Sequence, residues 1–249
     1  MSLVKYNTPG VEKFYNEMCQ MHETASNKFT AQQVTQMQNI SEPSQCIDNF
    51  LSEAEFESIY NYLDNAKWHI GVDGATFVGI DTDDNIVAKI IIPKLKEVFG
   101  EFTVQSFFMR KSTTSLLVHT DHRWSTTQVP YKTFLLPIRV DGNWDTVGTV
   151  TYDQYQYVYT LPKDSSGFSK QYIEGLYNNK FDQTAHTAHV SHEDISQLAG
   201  LTIEACHTWK PRSLIAFDST RLHSSNDWKK HGTKSKWAIT LLTSIDNDA

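Results

Sequence analysis

The hydrophobic pattern of this chain changes period near Gly100. Ahead of that point apolar residues recur at helical spacing. The clearest helix starts at Ser52, whose hydroxyl can cap the first turn while Glu55 completes a capping box and Leu51 packs on Phe56 as a hydrophobic staple. Phe56, Ile59, Tyr60 and Leu63 then share one face. A second helical stretch spans about 84–99, with Val87, Ile90, Ile91, Leu95 and Val98 on one side. Pro93 lies inside it, which predicts a kink or two short helices. Residues 12–39 are polar, Gln-rich and only weakly periodic, and read as a loosely attached helix or extension.

After Gly100 the period becomes that of strands. Segments 102–111, 115–119, 132–140, 148–153, 156–161, 213–217 and 236–244 are rich in β-branched and aromatic residues and are punctuated by Gly, Pro, Asn and Asp. Many short strands without long helices between them predict a mainly β (α+β) chain whose core is an antiparallel sandwich or jelly roll, the double-stranded β-helix. Residues 164–200 break the pattern with Ser, Gly, Asn and His, and read as an insertion over the barrel mouth or edge. With no internal repeat and no extended linker, one domain over 1–249 is expected: a helical support over 1–100 and the β core over 101–245.

Composition narrows the function. A net charge of −7 argues against a nucleic-acid or anionic-membrane partner. Apolar runs are only a few residues long, so no membrane helix is expected. Three scattered cysteines without CxxC spacing, and no apolar leader over residues 1–10, suggest a reducing, cytoplasmic setting. Lys229, Lys230, Lys234 and Lys236 cluster late in the chain and read mainly as a solvated loop. The aromatics between Trp124 and Tyr159 are accounted for as barrel core and rim.

The chemistry concentrates at SLLVHTDHRW. His119 and Asp121 stand at i and i+2 at the end of an apolar strand, so alternation points both to one face. The segment SLIAFDSTRLHSS adds His223. Two histidines and one carboxylate on one side of a metal leave three positions open, the arrangement of non-haem Fe(II) oxygenases. A second HxD triplet, His192 and Asp194, follows a helix-capping Ser191 in polar surroundings and sits too near His223 for the intervening strands. His186, His189 and His192 repeat every three residues without a completing Cys or carboxylate, and read as a polar loop. Lys236 opens the strand KWAITLLTS, with Ala238 and Thr240 on its face; an ammonium and a hydroxyl there could clamp a carboxylate.

HTD in one strand, a distal His and a basic residue opening the last strand resemble the Fe(II)/2-oxoglutarate-dependent dioxygenase superfamily, and within it the prolyl-hydroxylase-like branch. DNFLSEAEF resembles the segment that opens the helical support in many members. The resemblance covers roughly 46–245. It implies iron ligation by His119, Asp121 and His223, with 2-oxoglutarate as co-substrate, its C5 carboxylate on Lys236 and Thr240. It implies a dioxygenase, a hydroxylase coupling decarboxylation of 2-oxoglutarate by dioxygen to oxidation of a peptidyl side chain or a small molecule. Two positions depart from the branch. Lys236 stands where arginine is common, and Phe107 and Phe108 occupy a strand that often carries a co-substrate tyrosine, a role Tyr131 or Thr133 could take. Arg123 and Arg221, each two residues from a ligand, are candidates for binding substrate or for a rim salt bridge. The alternatives are a cupin-like metal enzyme without 2-oxoglutarate, which has no use for Lys236, and a non-catalytic jelly-roll binding protein.

Overall fold

Two capping boxes set the helical support. In this computed structural model, which describes residues 29–70, 76–83, 85–121, 127–157, 169–178, 180 and 182–247, the Thr30 hydroxyl accepts from Gln33 N and begins α1, Ala31–Asn39. The short strand β1, Gln45–Ile47, follows. Ser52 and Glu55 form the box predicted for α2, Glu53–Asp64. Strands β2, His69–Ile70, and β3, Thr76–Gly79, lead to α3, Ile86–Phe99. Pro93 lies within α3, which runs as one helix rather than two. Its buried side is Val87, Ala88, Ile91 and Leu95, while Val98 is exposed.

The β core comprises β4, Thr103–Ser112; β5, Gln128–Asp141; β6, Gly148–Tyr155; β7, Ile203–Thr208; β8, Leu214–Asp218; β9, Arg221–Ser225; and β10, Ser235–Asp246. A seven-stranded antiparallel sheet runs β1-β8-β5-β10-β4-β3-β2, and a three-stranded one runs β7-β6-β9. The segment carrying His119 joins the free edge of β9 through a backbone bridge to His223. Apart from the β6–β7 pair, successive core strands pass back and forth between two facing sheets, and the fold is a double-stranded β-helix.

Alternation decides what each sheet buries. On the large sheet Phe107, Met109, Phe134, Leu136, Ile239 and Leu241 face α2 and α3, where Ile59, Leu63, Ile91 and Leu95 meet them. On the small sheet Val150, Tyr152 and Leu222 face outward. The insertion covers them: α4, Lys170–Tyr177, α5, Gln183–His189, and α6, Ile195–Leu198, bring Tyr172, Val190, Leu198 and Leu201 onto that face. In its described part the insertion backs the small sheet, whose apolar outer face it removes from water. Lys230, expected on a solvated loop, donates to the carbonyls of Thr187 and Ala188 at the end of α5.

The N-terminal strap closes the seam between the sheets. β1 pairs with β8, while Ser44 on the same strap reaches Glu204, Thr151 and His207 of the small sheet at 2.7–2.8 Å. Asp218 organises the adjoining polar cluster. It accepts from Lys132 Nζ at 2.6 Å, Ser41 Oγ at 2.7 Å and Tyr155 Oη at 3.2 Å, all inside the barrel end. Among the described residues, Asp218→Ala leaves the buried Lys132 ammonium with only the exposed Glu42 carboxylate, at 3.2 Å. We expect a loss of about 3–5 kcal/mol in urea unfolding, the cost of breaking a buried pair by removing one partner. A loss below about 1 kcal/mol would mean that the pair behaves as a surface one.

Among the described residues no helix is long and apolar enough to cross a membrane, and Cys46 and Cys206 are free thiols.

Candidate metal centre

The strand-like segment ending in His119 and Asp121 is pinned to β9 by main-chain bonds. His119 N donates to His223 O at 2.9 Å, His223 N to His119 O at 3.0 Å, and Asp121 N to Ser219 O at 3.0 Å. This antiparallel bridge sets the two imidazoles beside each other, with ring centroids 4.3 Å apart. Each Nδ1 faces a backbone carbonyl two residues earlier, Leu117 O at 2.6 Å and Arg221 O at 3.1 Å. Those contacts select the tautomer that carries its proton on Nδ1 and presents a bare Nε2. Asp121 lies between: Oδ1 is 3.5 Å from His119 Nε2, and Oδ2 is 3.2 Å from His223 Nε2. All three donor atoms fall within 4.8 Å of one another. His119, Asp121 and His223 form a 2-His-1-carboxylate triad.

Its protonation suits a cation. Loss of hydration, with His223 alongside, holds the His119 imidazole down at about 4, so it is neutral and able to ligate near neutral pH. Burial alone would raise the Asp121 carboxyl, but His223 and His119, with the Thr133 hydroxyl, hold it well below the usual carboxylate range. One carboxylate and two imidazoles that present Nε2 are a donor set that fits iron(II).

The triad opens into a cavity. From β10 come Lys236, Ala238 and Thr240, the face predicted by alternation. β4 contributes Phe108, Arg110 and Ser112, and the floor holds Thr149, Trp209 and Ser225. Lys236 is buried, 4% exposed. Its Nζ donates to Ser225 Oγ at 2.8 Å and lies 4.3 Å from the centroid of the Trp209 ring. The Trp209 indole is itself fixed by donating to Thr149 Oγ1 at 3.0 Å. Among the described residues no carboxylate pairs with this ammonium. Burial first, and the Arg110 guanidinium second, push it down to about 7.

The remaining sequence candidates separate. Thr133 is fully buried, bonds Ser219 Oγ at 3.1 Å and supports Asp121 rather than lining the cavity. Tyr131 turns away: its hydroxyl donates to Phe99 O at 3.0 Å, at the end of α3. Simple alternation fails there because β5 carries one residue more than β10 between the pairs Thr133↔Leu242 and Pro130↔Ser244. Pro130 has no N–H to continue the ladder, and Thr243 Oγ1 bonds both Lys132 N and Lys132 O within the bulge. Arg221 is not on the cavity. It donates to Tyr152 O and Glu42 O, each at 3.0 Å, lies 3.1 Å from Glu204 Oε2 and stacks over Tyr155. Arg123 lies outside the described residues. His192 and Asp194 do not join a metal cluster; Ser191 bonds Asp227 instead of capping, and the helix begins only at Ile195. His186 is buried beside Leu201 O.

Sequence reading missed Arg110 and Trp209. For Arg110 a signal existed, since it shares parity with Phe108 on β4. Trp209 had none, because β7 alternates too weakly to place the residue just beyond its end.

No family model matches the chain, and no curated protein matches it in sequence. Among solved structures it is similar to a viral collagen prolyl hydroxylase of Paramecium bursaria Chlorella virus-1 in a 2OG complex, at 10% identity, over 82% of this chain and 96% of that one, with a TM-score of 0.47. It is similar to HygX of Streptomyces hygroscopicus with nickel, 2-oxoglutarate and hygromycin B bound, at 10% identity over 86% and 87%, TM-score 0.46. A prolyl hydroxylase of Trichoplax adhaerens in complex with a hypoxia inducible factor peptide matches at 11% identity over 94% and 90%, TM-score 0.44.

Proposed function

We propose that this chain is an Fe(II)- and 2-oxoglutarate-dependent dioxygenase that hydroxylates an organic substrate, a peptidyl side chain or a small molecule. The observation that carries the reading is a 2-His-1-carboxylate triad opening onto a cavity lined by a buried ammonium, Lys236. His119, Asp121 and His223 would hold iron(II), which when bound supplies dioxygen activation and oxidative decarboxylation of the 2-oxo acid. Lys236 binds the distal carboxylate, and Thr240 offers a hydroxyl on the same face. Phe108, Leu116, Leu135 and Ala238 line the space between with carbon and exclude water from it.

A cupin-like enzyme without 2-oxoglutarate would call for more His or Glu ligands, and among the described residues the ligand group has three members. The test is anaerobic addition of Fe(II) and then 2-oxoglutarate. A weak visible charge-transfer band should appear, and succinate should form once air is admitted. No band and no succinate would sink the reading.

A further inference from the structure

The insertion holds a buried acid that the chemistry above does not use. Glu193 lies in the turn before α6, and its side chain has no solvent exposure. Its Oε2 accepts from Val118 N at 3.1 Å, one residue before the ligand His119. Beside it His192 Nε2 approaches Leu116 O at 3.4 Å.

The ligand segment needs such a partner. One of its edges is bonded to β9, where Ser225 N also donates to Leu116 O at 3.1 Å. Residue 118 points its amide to the opposite edge, as alternation in an antiparallel strand requires. Among the described residues no strand pairs along that edge. With that amide unmet, the segment would be free to slide along β9.

We propose that Glu193, assisted by His192, is a positioning residue for the metal centre, standing in for a missing neighbouring strand beside Val118. This rests on the triad reading above. Leu117 O orients the His119 ring at 2.6 Å, so the main chain at 117–119 aims the Nε2 ligand atom. Holding Val118 N holds that carbonyl, and therefore the ring. The clamp is itself anchored: Glu193 N donates to Val190 O at 3.0 Å, Ser191 Oγ to Asp227 Oδ2 at 2.6 Å, and Asp227 N to His189 O at 2.7 Å. The insertion, which backs the small sheet through apolar contacts, thereby also reaches the metal site. A buried carboxyl is a costly way to fill space, and an apolar side chain would cover Tyr152 and Leu222 equally well.

The test uses the full chain and Co(II), an air-stable spectroscopic probe for the iron site. Glu193→Leu should bind Co(II) about 10–100-fold more weakly, the usual effect of losing an outer partner of a ligand, with an altered ligand-field spectrum. Glu193→Gln keeps an acceptor oxygen and should restore affinity to within about threefold of wild type. Amide exchange on the wild-type protein needs no variant to fold, and Val118 should be protected. Wild-type affinity and spectrum in the leucine variant, equal losses in both variants, or rapid exchange at Val118 would each overturn the proposal. A wild type that takes up no Co(II) would instead bring down the triad reading first, and this inference with it.

Discussion

His223→Ala is expected to reduce 2-oxoglutarate turnover by more than about 100-fold, beyond what the loss of an outer partner costs. Among the described residues His223 supplies one of three donor atoms, and its main chain bridges to His119. Alanine keeps that bridge, since it runs through N and O, so the fold and the second imidazole stay in place. What is lost is Nε2, whose orientation depends on Arg221 O. One side of the ring packs on Phe217, 4.4 Å between centroids, and among the described residues the ligand group has no fourth member to replace the donor. Measured Co(II) or Fe(II) affinity should fall with turnover while the circular dichroism spectrum stays native. If His223→Ala and Asp121→Ala both retained full metal affinity, the metal would have to bind elsewhere.

The second large effect concerns Lys236. Lys236→Ala should weaken 2-oxoglutarate binding by about 10–100-fold, because a charged hydrogen bond in a buried site contributes about 1.5–3 kcal/mol. The wild-type protein should also show a pH dependence that the variant lacks. Burial and Arg110 lower the Lys236 ammonium to about 7 in the free protein. A bound carboxylate favours the charged form and raises it again. Below pH about 7 the ammonium is already charged and affinity is flat. Above that point each binding event must take up a proton, so affinity should fall by up to about tenfold per pH unit until the pKa of the complex is reached. Isothermal titration in two buffers of different ionisation enthalpy reads the proton directly. Affinity that is flat from pH 6 to 9, or unchanged in Lys236→Ala, would remove Lys236 from the role.

Much of this architecture is local in origin. The capping box at Ser52 and Glu55, the apolar stripe of α3, and the parity of His119 with Asp121 and of Lys236 with Ala238 and Thr240 all depend on residues within a turn or a few strand positions. Helix periodicity and strand alternation are short-range consequences of backbone geometry, so they can be read along the chain. Two strands of the β core escaped that reading, besides the short β1, β2 and β3 of the support. β7 is half-exposed throughout, and β9 is buried on both faces, so neither shows clean alternation.

The sequence by itself therefore determined the change from helical support to β core, the three ligand types and the basic residue that opens the last strand. The tertiary structure alone decided which neighbours those residues meet. A single extra residue beside Pro130 turned Tyr131 from the cavity to α3, and a carboxylate from β7 claimed Arg221. The bridge that brings His119 to His223 joins positions more than a hundred residues apart, and Glu193 reaches Val118 across 75. Register shifts, long-range ion pairs and edge contacts depend on how sheets close on one another, which no window of neighbouring residues contains.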